Sequence, residues 1–177
     1  MRILTVFCSL EGNCRALAEI IQGTVGGEVE ALRPMKMLSR QGARRFLECC
    51  KMALFGQSSR NHPMTANIAG YDLVFVGAPV WAWHMAPPVR RFLSETDWNG
   101  RKVALYTLSG GGPGFTLRAM RKLAEARGGQ VVSSAGFIDL RRKKQAVTRE
   151  RAAAWAKEAV GLVEQGDEMT ANITVVP

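Results

Sequence analysis

Short uncharged apolar runs alternate along this chain with stretches whose apolar residues recur at helical spacing, and few folds accommodate that alternation. Ile3-Leu4-Thr5-Val6-Phe7-Cys8 is continuous rather than alternating, as expected of a strand buried on both faces. In residues 13–22, Leu17, Ile20 and Ile21 share one helical face, with Gly23 and Gly26-Gly27 placed to end the helix. A weaker strand follows at 29–33. Ser39 is placed to cap a helix with Phe46, Leu47, Cys50, Ala53 and Leu54 as its stripe. The polar stretch 57–70 reads as an exposed loop. Tyr71-Asp72-Leu73-Val74-Phe75-Val76 reads as a buried strand ending at Gly77, and a helix starts at 89–93. Residues 102–108 form a strand, 115–126 a helix and 131–138 a strand. A last helix over 146–164 is expected to bury Val147, Trp155, Ala159 and Leu162 or Val163.

Five such strands alternating with helices predict an α/β fold, a three-layer α/β/α sandwich around a five-stranded parallel sheet. Ligands of such sheets sit beyond the carboxyl ends of the strands. The unusual residues collect at three of those ends, in 9–14, 77–88 and 109–114. One domain is expected over 1–164, since 177 residues with 47% hydrophobic content suit one core better than two. The tail, 165–177, carries Ile173-Thr174-Val175-Val176, for which an edge strand, a homodimer contact and a frayed end all remain open.

Charge and cysteine usage narrow the function classes. The net charge is +9, and all of it belongs to residues 101–151, which hold twelve Lys or Arg against Glu125, Asp139 and Glu150. A solvated helical face and a steering field for an acidic partner both fit that surplus. No aromatic-interleaved motif supports nucleic acid. The four cysteines, with Cys49 and Cys50 adjacent, and two histidines, His62 and His84, show no metal-ligand spacing. No apolar stretch is long enough to span a bilayer, so a cytoplasmic protein is expected.

Two segments carry a resemblance. Phe7-Cys8-Ser9-Leu10-Glu11-Gly12-Asn13-Cys14 is similar to the phosphate loop of the flavodoxin family, in which a strand ends in Ser/Thr-x-Thr-Gly-Asn-Thr and enters a helix. The segment from Tyr71 through Gly77-Ala78-Pro79-Val80-Trp81, with Met85-Ala86-Pro87-Pro88-Val89-Arg90-Arg91-Phe92-Leu93, resembles that family's third strand and flavin loop. The resemblance covers about 1–163 and implies strand order 2-1-3-4-5 and bound flavin mononucleotide (FMN). It departs at Glu11 and Cys14, which stand where the family has threonines.

The cofactor-binding residues this implies are Ser9, Leu10, Glu11, Gly12, Asn13 and Cys14 for the phosphate, and Pro79, Val80, Trp81, Ala82, Trp83 and His84 for the ring. Of the last six, Trp83 and His84 are added by position. Ser109, Gly110, Gly111 and Gly112 would skirt the ring's other edge. A helix amino terminus holds a dianion through unpaired amides and its dipole, without needing Lys or Arg. A carboxylate at Glu11 would oppose a phosphate, and a thiol at Cys14 is a feeble donor. No side chain is expected to act as a nucleophile. The resulting expectation is electron transfer through flavin with an acidic redox partner. Two alternatives stand beside it: a reductase passing hydride from a nicotinamide cofactor to a quinone or flavin, and a flavin-free interaction protein.

Overall fold

A computed structural model describes residues 1–35, 51, 61–138 and 145–171, with side chains omitted at 145 and 167–171. The stripe expected after Ser39, the Cys49-Cys50 pair, the Arg141-Arg142-Lys143-Lys144 run and the Ile173-Thr174-Val175-Val176 segment lie outside the described residues.

The elements run β1 (Ile3–Phe7), α1 (Asn13–Val25), β2 (Glu28–Ala31), β3 (Leu73–Trp81), β4 (His84–Met85), α2 (Pro87–Glu95), β5 (Lys102–Ser109), α3 (Thr116–Glu125), β6 (Gln130–Ile138) and α4 (Gln145–Ala171). The sheet is parallel in the order β2-β1-β3-β5-β6, with β4 folded back antiparallel on β3. Numbering the parallel strands alone recovers the expected 2-1-3-4-5. Strand β4 was not foreseen.

Successive side chains of a strand point to opposite faces, and the two cores follow that parity. Leu4 and Val6 of β1, Val74 and Val76 of β3, and Val103 and Leu105 of β5 pack under α2 and α3. Ile3 and Phe7, Leu73 and Phe75, and Ala104 and Tyr106 pack under α1 and α4. Trp155 of α4 anchors the second core, with the rings of Phe75, Phe137 and Tyr106 set edge-on at 5.5, 5.7 and 6.2 Å. Its indole N–H donates to Ser133 Oγ at 2.8 Å, so the buried donor is satisfied.

Four expectations are corrected. Gly77 does not end β3, which runs on to Trp81. It stands opposite Tyr106 in the ladder, and an added Cβ would lie 2.1 Å from that ring. The glycine answers a close approach rather than a turn. Gly23 lies inside α1, and Gly26 at φ 75° caps it instead. Val147 and Leu162 are exposed, while α4 buries Trp155, Ala159 and Val163. Finally, α4 continues past Glu164 to Ala171.

Candidate functional site

Strands β1, β3 and β5 are neighbours in the sheet and parallel, so the loops that follow them come together at one edge. Cys8 N–H donates to the Gly77 carbonyl at 3.2 Å, tying the exit of β1 to β3. The three groups of residues expected from the sequence therefore share the carboxyl edge.

The loop after β1 turns on Gly12, whose φ of 88° is left-handed and costs a glycine little. Gly12 N–H donates to Ser9 Oγ at 3.1 Å. Because that oxygen accepts, the Ser9 hydroxyl proton is left to point elsewhere. Helix α1 then opens at Asn13; among the described residues its N-cap position, Gly12, makes no side-chain cap, and its first turn holds no acidic residue. A helix start of this kind turns the positive end of its dipole toward the loop, which favours an anion there. Among the described residues no heavy atom lies within 4 Å of a Cβ built on Gly12.

Glu11 is exposed and precedes the first turn, and Leu10 and Asn13 are half-buried. Cys14 turns inward: it is buried in the core that also holds Tyr106. Burial pushes the Tyr106 phenol well above its usual range, and the neighbouring Cys14 adds to the push. Among the described residues the Tyr106 hydroxyl has no hydrogen-bond partner.

The loop after β3 is a two-residue hairpin, with Trp81 paired to His84 and Val80 to Met85. Its central residues, Ala82 and Trp83, have φ of 47° and 62°, the signs a type I′ turn requires. The turn projects Trp83 outward, 69% exposed, whereas Trp81 stays in the ladder and joins the core at 7%. Of the two tryptophans, Trp83 is the one presented to a ligand. Pro79, Val80 and His84 are half-buried. His84 Nδ1 donates to the Ala82 carbonyl at 2.6 Å, which leaves Nε2 as the ring's other nitrogen.

The loop after β5 repeats the device of the first. Gly112 N–H donates to Ser109 Oγ at 2.9 Å, and Gly112 sits at φ 142°. Gly110 and Gly111 are exposed. Beyond them Gly114 packs against Trp83, and Thr116 Oγ1 donates to the Trp83 carbonyl at 3.1 Å, joining this loop to the hairpin. Between these two contacts stands Phe115, 74% exposed. The helix expected over 115–126 starts one residue later, at Thr116, which leaves Phe115 on the loop. Its setting in Gly112-Pro113-Gly114-Phe115, a stretch too broken to pack a side chain, was the available signal.

The edge thus offers an uncapped helix terminus on one strand's loop and two exposed aromatic side chains, Trp83 and Phe115, on the loops beside it. This donor set fits a ligand with a phosphate at one end and a flat apolar ring at the other. Among the described residues no group of three His, Cys, Asp or Glu side chains is placed to hold a metal ion, and no helix is long and apolar enough to cross a membrane.

Known structures share this architecture. A flavoprotein in complex with FMN from Lactobacillus acidophilus is 18% identical, with a TM-score of 0.62 over 76% of this chain and 92% of that one. Oxidised flavodoxin 1 from Bacillus cereus is 16% identical, with a TM-score of 0.60 over 91% and 98%. A WrbA-like flavodoxin from Agrobacterium tumefaciens is 13% identical, with a TM-score of 0.62 over 93% and 98%. At such identities the likeness is one of fold. No curated protein matches the sequence. A flavodoxin family model matches residues 49–159, more than half of the chain, taking in the hairpin and the glycine loop while leaving the loop after β1 outside. The chain belongs to the flavodoxin family.

Proposed function

We propose that the protein binds FMN at this edge and carries electrons between partner proteins, at least one of them acidic. The observation that carries the reading is the pairing of an uncapped, acid-free first turn of α1 with the exposed Trp83 and Phe115 on the adjacent loops. Ser9 O–H and the first amides of α1 would hold the phosphate, with Asn13 beside them. Trp83, Phe115 and the backbone of Gly110 and Gly111 would border the ring. Bound FMN supplies reversible transfer of one or two electrons. The chain's own residues bind and orient it, and aromatic cover excludes water from its faces.

Glu11, the strongest sequence argument against a phosphate here, is exposed and outside the first turn. The acidic partner is supported by charge. Phe115, Arg118 and Lys122 follow the i, i+3, i+7 spacing of one helical face, and all three are exposed. An anionic partner is steered toward such an edge, at a rate that falls as salt is added.

Adding FMN to flavin-free protein and recording the visible spectrum tests the cofactor. A saturable shift of the flavin bands is expected, and an unchanged spectrum would mark a flavin-free interaction protein. Incubating the loaded protein with NADH or NADPH then separates the two redox readings. An electron carrier consumes almost none without a partner reductase, whereas a reductase turns over alone.

A further inference from the structure

The turn that presents Trp83 is built against local preference. A two-residue hairpin with two positive φ angles normally carries Asn-Gly or Gly-Gly. Here Ala82 and Trp83 occupy those positions, a conformation L-residues adopt at a penalty. Trp83 is 69% exposed, so its burial in the protein does not offset that penalty. Three contacts hold the turn in place. His84 Nδ1 donates to the Ala82 carbonyl at 2.6 Å, Thr116 Oγ1 donates to the Trp83 carbonyl at 3.1 Å, and Gly114 lies close beneath Trp83. A Cβ added at Gly114 would come within 2.8 Å of the Trp83 Cβ.

Thr116 is unusual among the three. It is the first residue of α3, one position past the N-cap Phe115, and its hydroxyl bonds the neighbouring hairpin instead of its own helix. Thr116 is 1% exposed, and its N–H donates to the Pro113 carbonyl at 3.1 Å, so the donor is fixed before it reaches across to the hairpin. The bond joins the loop after β5 to the turn after β3, the two loops that carry the exposed aromatics.

We propose that Thr116 is a positioning residue for the flavin loop: by holding the Trp83 carbonyl it locks the Ala82-Trp83 turn and sets where the indole meets the ring. This rests on the FMN reading above. Thr116 acts through Trp83 and touches no reacting atom.

The test compares Thr116→Val, which keeps the β-branched shape and deletes the hydroxyl, with Thr116→Ser, which restores the hydroxyl. Indole N–H signals of the four tryptophans are followed by NMR in flavin-free protein, and FMN affinity is measured by titration. In Thr116→Val the Trp83 signal is expected to move or broaden while those of Trp81, Trp98 and Trp155 stay in place. FMN binding is expected to weaken about tenfold, the worth of one lost hydrogen bond. Thr116→Ser is expected to recover both. An unchanged Trp83 signal in Thr116→Val overturns the proposal, as does a Ser variant as impaired as the Val variant. If wild-type protein binds no FMN, the flavin reading falls and the role of Thr116 toward the ring falls with it. The indole signals then still report whether the turn is held from α3.

Discussion

Two kinds of tight turn meet at the carboxyl edge, and they handle the same backbone demand differently. The loops after β1 and β5 each close with a serine oxygen accepting from a glycine N–H three residues on, and the positive φ falls on Gly12 and Gly112. The hairpin after β3 places its positive φ on Ala82 and Trp83. Glycine makes a turn nearly free of strain but contributes no side chain. Where the edge needs only amides, glycine occupies the corner. Where it needs an aromatic surface, the chain accepts strain and offsets it with bonds from His84 and Thr116. The contrast separates a turn that leaves only backbone at the edge from one that presents a side chain, which is the division the proposed phosphate and ring sites would use.

Substitutions at the three corners can break or sharpen that contrast. The largest effect is expected at Gly114, where φ is 52° and Trp83 leaves no room for a methyl group. Gly114→Ala combines backbone strain with overpacking and should lower stability by about 3 kcal/mol, read as a shift of the urea midpoint. Gly12→Ala meets no neighbour within 4 Å among the described residues, so its φ of 88° is the expected source of the penalty. The expected loss is about 1–2 kcal/mol, and a larger one would mean that the loop is sterically confined after all. Ala82→Gly is expected to act in the opposite direction, gaining about 0.5 kcal/mol in thermal unfolding as relief of strain outweighs the entropy of a freer chain. A destabilised Ala82→Gly variant would show that the hairpin is not strained, and the contrast would collapse.

The sheet was legible because the uncharged runs around Val6, Phe75 and Leu105 have one physical explanation, burial on both faces. Residues 9–13 were legible as a tight strand-to-helix turn from their types and their place, and their anion role is the one proposed above. Legibility failed where a residue type serves two purposes. Gly77 looked like a turn, yet it makes room for the Tyr106 ring, a partner 29 positions away in sequence and opposite it in the ladder. The hairpin was missed because Ala82-Trp83 lacks the usual turn residues, and Pro79 discouraged extending the strand through it. Trp81 and Trp83 are chemically alike, and only the ladder decides which is buried. Phe115 carried no signal of its own, since the helix expected over 115–126 begins at Thr116 and leaves Phe115 on the loop before it.

The central claim, that α1's first amides bind a phosphate while Trp83 and Phe115 receive the ring, separates cleanly in one comparison. FMN and riboflavin share the ring and differ in the phosphate, and each can be titrated into flavin-free protein while tryptophan fluorescence is followed. The account predicts saturable quenching by both, with FMN tighter by roughly 1.5–3 kcal/mol, the worth of a charge-assisted hydrogen bond. Equal affinities, or no quenching by FMN, would contradict it.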